Sequence, residues 1–382
     1  MTLYKKHNSF EGIRSKTAQD QSPVIQRLQK LRTRTELVEK LNSQHRSILR
    51  KVFDDIFIQG GKSDSQRFVL TPNVIDEINS YPDEAIPRYL IHRYRYEMFP
   101  QLFLLDDYPP YLQIEPSSFC NYRCIFCYNS DKTFTTKSAG FMGYMQFDRF
   151  RRIIDEIEGN IEFISLASRG EPLLCPNIDR MLAYTAGKFL NLKLNTNASL
   201  LDERISHAIL QSGVKTLVFS IDACDDKQYR QLRVGGSLKK VLNNVEQFQR
   251  IRTAHYSSSK IITRVSGVKY NDQQDLDAMQ EFFDGLVEQV VFVKYNPWEN
   301  VYEQPENDIK TSCSDLWRRM FIWWDGKANP CDVDYKSMLS VGTTDSQSIH
   351  ALWHSDAYMT LRKHHLENER SSINPCKRCV VI

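Results

Sequence analysis

The chain has 382 residues, more than one typical domain, and its composition of 41% hydrophobic and 25% charged residues is ordinary for a globular protein. A formal net charge of +3 is too small to indicate nucleic-acid or membrane binding, and no apolar run approaches the roughly 18 residues that span a bilayer. Because no signal-peptide pattern opens the chain, we expect a cytoplasmic protein whose nine cysteines are thiols or metal ligands and not disulfides.

Residues 1–107 are predicted to be a mostly helical N-terminal extension. Residues 24–41 are basic and place apolar side chains at helical spacing, which predicts a helix. This helix packs on the rest of the protein or, alternatively, docks an acidic partner. Residues 86–110 predict a second helix that leads into the first strand of the next region.

Residues 108–300 alternate predicted strands with predicted helices. The strands cover residues 111–117, 161–168, 191–197, 216–222, 260–268 and 290–297, and the helices cover residues 147–158, 177–188, 202–212, 238–253 and 274–287. Asp202 and Ser237 stand where N-caps are expected. Such alternation is typical of right-handed βαβ units with a parallel sheet, so we predict an α/β fold with a partial (β/α)6 barrel.

Polar and reactive side chains follow several of these strands, and in parallel β/α barrels such groups gather at the C-terminal strand ends. A loop with three cysteines follows the first strand, the sequence SRGEP (168–172) follows the second, and SIDAC (220–224) ends the fourth. Asn195 and Asn197 close the third strand, and Arg264 lies within the fifth. One end of the barrel is therefore expected to collect thiolates, a carboxylate, amides, a hydroxyl and a guanidinium.

The loop SSFCNYRCIFCYNS contains Cys120, Cys124 and Cys127. Three thiolates satisfy three irons of a cubane cluster and leave the fourth iron open for a substrate or cofactor. A zinc site that a distant residue completes is the alternative.

This loop resembles the motif of the radical S-adenosylmethionine (SAM) superfamily, Cys-x₃-Cys-x-aromatic-Cys, with Phe126 at the aromatic position. The resemblance covers about residues 108–300. It implies a [4Fe–4S] cluster on the three cysteines, SAM bound at the open iron, and reductive cleavage of SAM to a 5′-deoxyadenosyl radical that abstracts a substrate hydrogen. It also implies a reducing partner such as flavodoxin or ferredoxin.

The same resemblance implies which residues bind SAM. The sequence RGEP resembles the family's Gly-Gly-Glu-Pro element with Arg169 in place of the first glycine, so Glu171 is expected to accept a hydrogen bond from the SAM ammonium. For Asn197 and Ser220, a cap between strand and loop is the alternative. The other implied contacts are Asn195 and Asn197 to the ribose, and Ser220 and Arg264 to the SAM carboxylate.

Residues 301–382 are predicted to form a small C-terminal domain with a second group of cysteines. Residues 321–331 predict a hairpin around a turn at 325–326, and residues 348–368 predict a helix before the Cys-x₂-Cys knuckle of residues 374–379. Four thiolates complete a closed site for zinc or for a cubane cluster, and spacing alone does not decide between them. The four cysteines are Cys313, Cys331, Cys376 and Cys379.

This region resembles a twitch domain, the shortened form of the SPASM extension, in its Gly326-x₄-Cys331 element and its final Cys-x₂-Cys. The resemblance implies one auxiliary [4Fe–4S] cluster that all four cysteines bind. A cluster with an open position and a zinc ion are the alternatives.

A closed cluster beside a radical site indicates an electron acceptor. Twitch-type enzymes, which this chain resembles, include a dehydrogenase of an aminocyclitol, so the resemblance implies dehydrogenation of a sugar, a cyclitol or a similar small polar substrate. Asp332 and Asp334 follow Cys331 and are candidate bases for the substrate hydroxyl proton, with solvated carboxylates as the alternative. Three other functions remain open: a carbohydrate epimerase with Cys224 as hydrogen donor, a peptide- or protein-modifying maturase, and a non-catalytic iron–sulfur or zinc protein that binds a partner.

Overall fold

The computed structural model describes residues 3–5, 10–15, 20–39, 41–58 and 67–382. Its strands are β1 (Phe10–Ser15), β2 (Tyr111–Ile114), β3 (Arg123–Cys124), β4 (Phe163–Leu166), β5 (Asn191–Thr196), β6 (Val214–Ser220), β7 (Arg233–Val234), β8 (Ile262–Lys269), β9 (Gln289–Lys294), β10 (Arg319–Ile322), β11 (Lys327–Asn329) and β12 (Gly342–Thr343). Its α-helices are α1 (Ser22–Arg32), α2 (Thr35–Glu39), α3 (Ser43–Phe57), α4 (Pro72–Ser80), α5 (Ile86–Gln101), α6 (Lys132–Thr135), α7 (Phe147–Ile157), α8 (Ile178–Thr185), α9 (Glu203–Gln211), α10 (Asp226–Leu232), α11 (Leu238–His255), α12 (Leu276–Asp284), α13 (Ile349–Trp353) and α14 (Asp356–Leu366).

The predicted parallel α/β sheet is confirmed. Strands β2, β4, β5, β6, β8 and β9 are neighbours in that order and run parallel to one another. Each begins and ends within three residues of its predicted bounds. The strands are buried because helices cover the outer face of the sheet, as parallel sheets require.

The helices between these strands follow the predicted apolar pattern. In α7, Phe150, Ile153, Ile154 and Ile157 are buried at the spacing of one helical face. The predicted N-caps of α9 and α11 are confirmed, because the side chains of both cap residues accept a hydrogen bond from the backbone N–H three residues later.

The helix predicted over residues 24–41 is wrong as a single element. It divides into α1 and α2, because the Thr33 hydroxyl donates to the Lys30 carbonyl at 2.8 Å and the backbone turns there. The buried side chains of α1 pack with α3, α4 and α5 in a cluster that also contains Phe163 of β4. The second predicted helix, over residues 86–110, ends earlier, at Gln101, and Phe103 follows with a positive φ of 52°.

The C-terminal region adds strands to the same sheet. The predicted hairpin is confirmed as β10 and β11, with Gly326 in the turn at a φ of 85°. In addition, β10 pairs in parallel with β2, on the side opposite to β4, while β1 pairs antiparallel with β9 at the other edge.

The single helix predicted over residues 348–368 is wrong. It divides into α13 and α14, because the Ser355 side chain accepts a hydrogen bond from the Tyr358 N–H and starts a new helix. Among the helices that the structure describes, none combines the length and the apolar composition that a membrane crossing needs.

Candidate active site

A cavity of about 490 Å³ occupies the inside of the barrel. At the C-terminal ends of the strands, Cys120, Cys124 and Cys127 line it. Towards the N-terminal ends, Glu77 of α4 and Arg93 of α5 line it, so these two helices cover that end of the barrel. The predicted polar groups at one barrel end therefore line the same cavity.

The three-cysteine loop is held by polar donors that face its sulfurs. Arg233 Nη1 lies 3.8 Å from Cys124 Sγ, and Asn129 Nδ2 lies 3.9 Å from Cys127 Sγ. Burial raises the pKa of the Cys120 and Cys124 thiols to about 12, so both are protonated at neutral pH until a metal displaces the proton. The donors then stabilise the sulfur charge that remains.

Glu171 is buried beside this loop and also lines the cavity. Its carboxylate accepts hydrogen bonds from the Leu173 N–H at 3.1 Å, from the Thr196 hydroxyl at 2.7 Å and from the Asn197 N–H at 2.7 Å. Burial raises its pKa, and these three donors oppose the shift. These hydrogen bonds of Glu171 connect the end of β4 to the end of β5. Its carboxylate has acceptor capacity left for one further donor.

Gly170 allows the SRGEP segment to touch the three-cysteine loop. A Cβ at this position would lie 2.3 Å from the Ser117 carbonyl oxygen and 2.4 Å from that of Phe119. The next residue, Glu171, donates its backbone N–H to the Phe119 carbonyl at 2.8 Å. Only glycine permits this close approach of the two strand ends.

The strand-end amides have different surroundings. Asn195 and Ser220 line the cavity, and Asn195 Oδ1 is a buried oxygen with no hydrogen bond from the residues that the structure describes. Asn197 also lines it, but its side chain donates to Asn121 Oδ1 at 3.0 Å and accepts from the Ser199 N–H at 2.9 Å. A ligand hydroxyl therefore suits Asn195, whereas the contacts of Asn197 suit the alternative of a strand-to-loop cap.

Arg264 lines the same cavity one layer further inside. It pairs with Val218, while Ser220 pairs with Ser266 nearer the mouth. Its Nε donates to Gln289 Oε1 at 2.7 Å. The SAM-carboxylate role of Arg264 stays a prediction.

One buried ion pair was missed by sequence reasoning. Arg169 binds Glu115 at the end of β2, and its guanidinium lies 4.2 Å from the ring centroid of Trp323. The replacement of a glycine by arginine in RGEP was the available signal. Its partner, 54 residues earlier in the chain, depends on the tertiary fold.

The four C-terminal cysteines are brought into one region and are all partly buried. Burial raises the pKa of Cys376, and the nearby thiols of Cys379 and Cys313 add to the shift. Tyr358 lies close to Cys331 and Cys313. The predicted set of four therefore shares one neighbourhood.

An aromatic cluster connects the two cysteine groups. We define it as the buried residues Tyr128, Phe134, Val301, Val333, Tyr335 and Val381. Cys127 packs against it from the barrel, and Cys313, Cys331 and Cys379 pack against it from the C-terminal region.

The chemistry of the donors bears on which metal they fit. The loop offers three thiols and the C-terminal region offers four, and thiolates are the ligands of [4Fe–4S] clusters. Four thiolates also suit zinc.

The two candidate bases, Asp332 and Asp334, have different surroundings. Asp334 is buried and accepts hydrogen bonds from the Leu339 N–H at 2.7 Å, the Met338 N–H at 3.0 Å and the Tyr302 hydroxyl at 2.8 Å. Burial raises its pKa to about 6. Asp332 lines the cavity instead.

Two further predicted residues complete the description. Cys224 is absent from the described residues that line the cavity; it packs, partly buried, against the core near Asp225 and Asp275. Phe126 lines the cavity, and its ring centroid lies 5.9 Å from that of Tyr270 with the ring planes tilted by 42°. Its carbonyl accepts a hydrogen bond from Trp298.

Comparison with known proteins identifies two domains. Residues 114–282 match the family model of the radical SAM superfamily, and residues 313–380 match that of the iron–sulfur cluster-binding domain called SPASM. GTP 3′,8-cyclase of Clostridium botulinum is 25% identical over 141 residues, which are 36% of this chain and 42% of the cyclase. An uncharacterized protein of Methanocaldococcus jannaschii is 24% identical over 204 residues, 53% of this chain and 62% of that protein. The chain thus spans about two fifths of the length of the cyclases that it matches.

Solved structures share the fold. anSMEcpe with bound AdoMet has a TM-score of 0.51 at 15% identity, over 71% of this chain and 88% of that one. Streptococcus suis SuiB bound to the precursor peptide SuiA has a TM-score of 0.50 at 15% identity, over 82% of this chain and 77% of that one. The chain therefore contains a radical SAM domain and a C-terminal SPASM domain, and these domains imply [4Fe–4S] clusters and SAM as cofactors.

Proposed function

We propose that this radical SAM enzyme dehydrogenates a sugar, a cyclitol or a similar small polar substrate, with an auxiliary [4Fe–4S] cluster on its four C-terminal cysteines as electron acceptor. One observation carries the proposal: a single cavity is lined both by the three-cysteine loop and by Asp332, the residue that follows Cys331. A substrate in this cavity lies between the two predicted cluster sites.

The residues at the cavity mouth suit the binding of SAM. When bound at Cys120, Cys124 and Cys127, the cluster and SAM together supply a 5′-deoxyadenosyl radical that removes a hydrogen atom. The protein contributes position and exclusion of water. Asn195 offers its buried oxygen to a hydroxyl, and Glu171 has acceptor capacity for an ammonium.

Oxidation of a carbinol to a ketone removes a hydrogen atom, a proton and an electron. The adenosyl group takes the hydrogen atom, and the carboxylate of Asp332 accepts the hydroxyl proton. The four C-terminal thiols hold the acceptor for the electron. Asp334 has a structural role in this scheme, because backbone N–H groups and a tyrosine hydroxyl already bind its carboxylate.

The size and lining of the cavity also favour this function. A volume of about 490 Å³ is in the range of small-molecule sites, and the lining is rich in polar groups. An epimerase needs a hydrogen donor that faces the substrate, whereas Cys224 does not appear among the described lining residues. The electron that starts the reaction would come from a flavodoxin or ferredoxin.

Product analysis in deuterated water tests the proposal. The anaerobically reconstituted enzyme is incubated with SAM, reductant and a panel of sugars, cyclitols and their derivatives. We expect a ketone lighter than the substrate by two hydrogens, formed in equal amount with 5′-deoxyadenosine. An unoxidised product that carries solvent deuterium at an inverted carbon would establish the epimerase instead.

A further inference from the structure

The middle of the barrel interior is charged, although parallel β/α barrels are normally filled by branched apolar side chains. Lys193 of β5, Thr216 of β6 and Arg264 of β8 line the cavity on neighbouring strands. This layer lies below the three-cysteine loop and above α4 and α5. The mechanism proposed above uses none of these three residues, and the subsite proposed here replaces the predicted contact of Arg264 with the SAM carboxylate.

Lys193 has no acceptor for its ammonium. No hydrogen bond or ion pair joins it to the described part of the chain, although it lies inside the protein. The charged groups that face it are Arg264 of β8, Arg319 of β10, Arg93 of α5 and Glu77 of α4. Lys193 is half-buried and lines the cavity, so its ammonium is available to an anion bound there.

Among the described residues, Glu77 supplies the carboxylate that faces Lys193, and this carboxylate is engaged elsewhere. Glu77 accepts hydrogen bonds from the Tyr89 hydroxyl at 2.5 Å and from Asn191 Nδ2 at 3.2 Å, and Arg93 Nη1 lies 3.8 Å from it. Arg93 in turn donates to Glu97 at 2.7 Å. None of these contacts compensates the positive charge of Lys193.

The two other cations keep donors towards the cavity. Arg264 uses its Nε for the neutral amide of Gln289, and the carboxylates of Glu77 and Asp76 act on its charge without an ion pair among the described residues. Arg319 donates to the Tyr96 hydroxyl at 2.9 Å and lies 3.6 Å from Asp315. Both guanidiniums are fixed by their strands at the cavity wall.

We propose that this layer is an oxyanion subsite, in which Lys193 and Arg264, flanked by Arg319, bind a carboxylate or phosphate group of the substrate. The inference rests on the proposed function and narrows its substrate class to polyols or cyclitols that carry an acid group. An anion here supplies the missing acceptor of Lys193 and forms charge-assisted hydrogen bonds with the guanidinium. The anionic end then lies deep in the barrel and the reacting carbon lies towards the three-cysteine loop.

Anion titration by calorimetry tests the subsite without turnover. Sulfate stands in for a phosphate and acetate for a carboxylate, and each is titrated into the reconstituted enzyme with SAM bound. We expect saturable binding of at least one anion, weakened about tenfold or more by Lys193→Met. The control is Lys215→Met, because Lys215 on β6 is also half-buried but donates to the Ser80 carbonyl at 2.9 Å. Its variant should bind like the wild type.

The pH dependence gives a second measurement. Burial and the neighbouring cations lower the pKa of Lys193 to about 7, so the free ammonium loses its proton above that pH. Anion binding then takes up a proton, and affinity should fall as pH rises from 7 to 9, about tenfold per unit. The variant Lys193→Arg should still bind the anion, but its affinity should no longer fall as pH rises. It also provides a charged variant for the test if Lys193→Met does not fold.

Two outcomes overturn the subsite: neither anion binds saturably at millimolar concentration, or Lys193→Met binds as tightly as the wild type. Neither outcome depends on product formation. A ketone product with no anion binding would therefore leave the proposed function standing and refute the subsite. Anion binding with an epimerised product would instead support the subsite and refute the proposed function.

Discussion

Arg169 and Glu115 form a buried bidentate ion pair that joins three parts of the site. The Nε–Oε2 and Nη2–Oε1 distances are 2.8 and 2.6 Å, and the side chains are 2% and 0% exposed. Arg169 Nη1 also donates to the Tyr335 carbonyl at 2.9 Å, and the Trp324 N–H donates to Glu115 at 3.3 Å. The pair therefore fixes the ends of β2 and β4 against the C-terminal region.

Replacing Arg169 should destabilise the protein strongly. Arg169→Met leaves the Glu115 carboxylate buried without its cation, and we expect the free energy of unfolding to fall by about 3–5 kcal/mol. Urea denaturation of the cluster-free protein measures the change. The double variant Arg169→Met with Glu115→Leu should recover part of the loss, because it removes both charges. Equal stability of Arg169→Met and the wild type would contradict a structural role of the pair.

The three loop cysteines should be needed for SAM cleavage but not for assembly of the C-terminal cluster. Replacing Cys120, Cys124 and Cys127 by alanine should abolish 5′-deoxyadenosine formation and leave the C-terminal cluster assembled. Cys127 of the loop and three C-terminal cysteines pack against the same aromatic cluster, but no cysteine belongs to both groups. Iron and sulfide content should fall by about half relative to the reconstituted wild type. Continued formation of 5′-deoxyadenosine from SAM and dithionite would refute this assignment.

Glu171→Gln should weaken SAM binding by about 1–3 kcal/mol, because an amide loses the charge-assisted contact with the ammonium. Equilibrium dialysis of labelled SAM measures the change. The matched control is Thr196→Val, which removes the 2.7 Å hydrogen bond to Glu171 but keeps its charge. The control should lower stability by about 1 kcal/mol with little effect on SAM affinity. If both variants lose SAM affinity equally, Glu171 acts only by holding β5.

The C-terminal cysteines should be needed for the oxidised product. With Cys376 and Cys379 replaced by alanine, we expect no ketone, while unproductive SAM cleavage continues if the fold survives the loss of the metal site. Mass spectrometry of product and 5′-deoxyadenosine separates the two activities. Cys224→Ala is the matched thiol control and should turn over normally. A double variant that still forms ketone would remove the auxiliary cluster from the reaction.

The strands of the barrel were predictable from sequence because buried parallel strands are short apolar runs bounded by polar strand ends. The three cysteines, Glu171 and Asn195 could be predicted to lie at strand ends because they stand at or after the ends of such runs. The breaks at Thr33 and Ser355 were missed, since the apolar period continues across both while a local hydroxyl redirects the backbone.

Contacts between segments that are distant in the chain could not be predicted from sequence patterns or residue spacing. Neither the pairing of β10 with β2 nor the partner of Arg169 follows from local sequence. The same holds for side-chain direction. Asp332 and Asp334 are two residues apart, yet one lines the cavity and the other is bound by backbone N–H groups.

The pairing of β10 with β2 limits how the protein can be shortened. Residues Arg319–Ile322 cover one whole side of Tyr111–Ile114, the first strand of the barrel. Truncation ahead of β10 would expose that strand as an open edge with unpaired N–H and C=O groups, a template for aggregation. An isolated barrel domain should therefore be insoluble unless β10 is kept or the new edge carries charged substitutions.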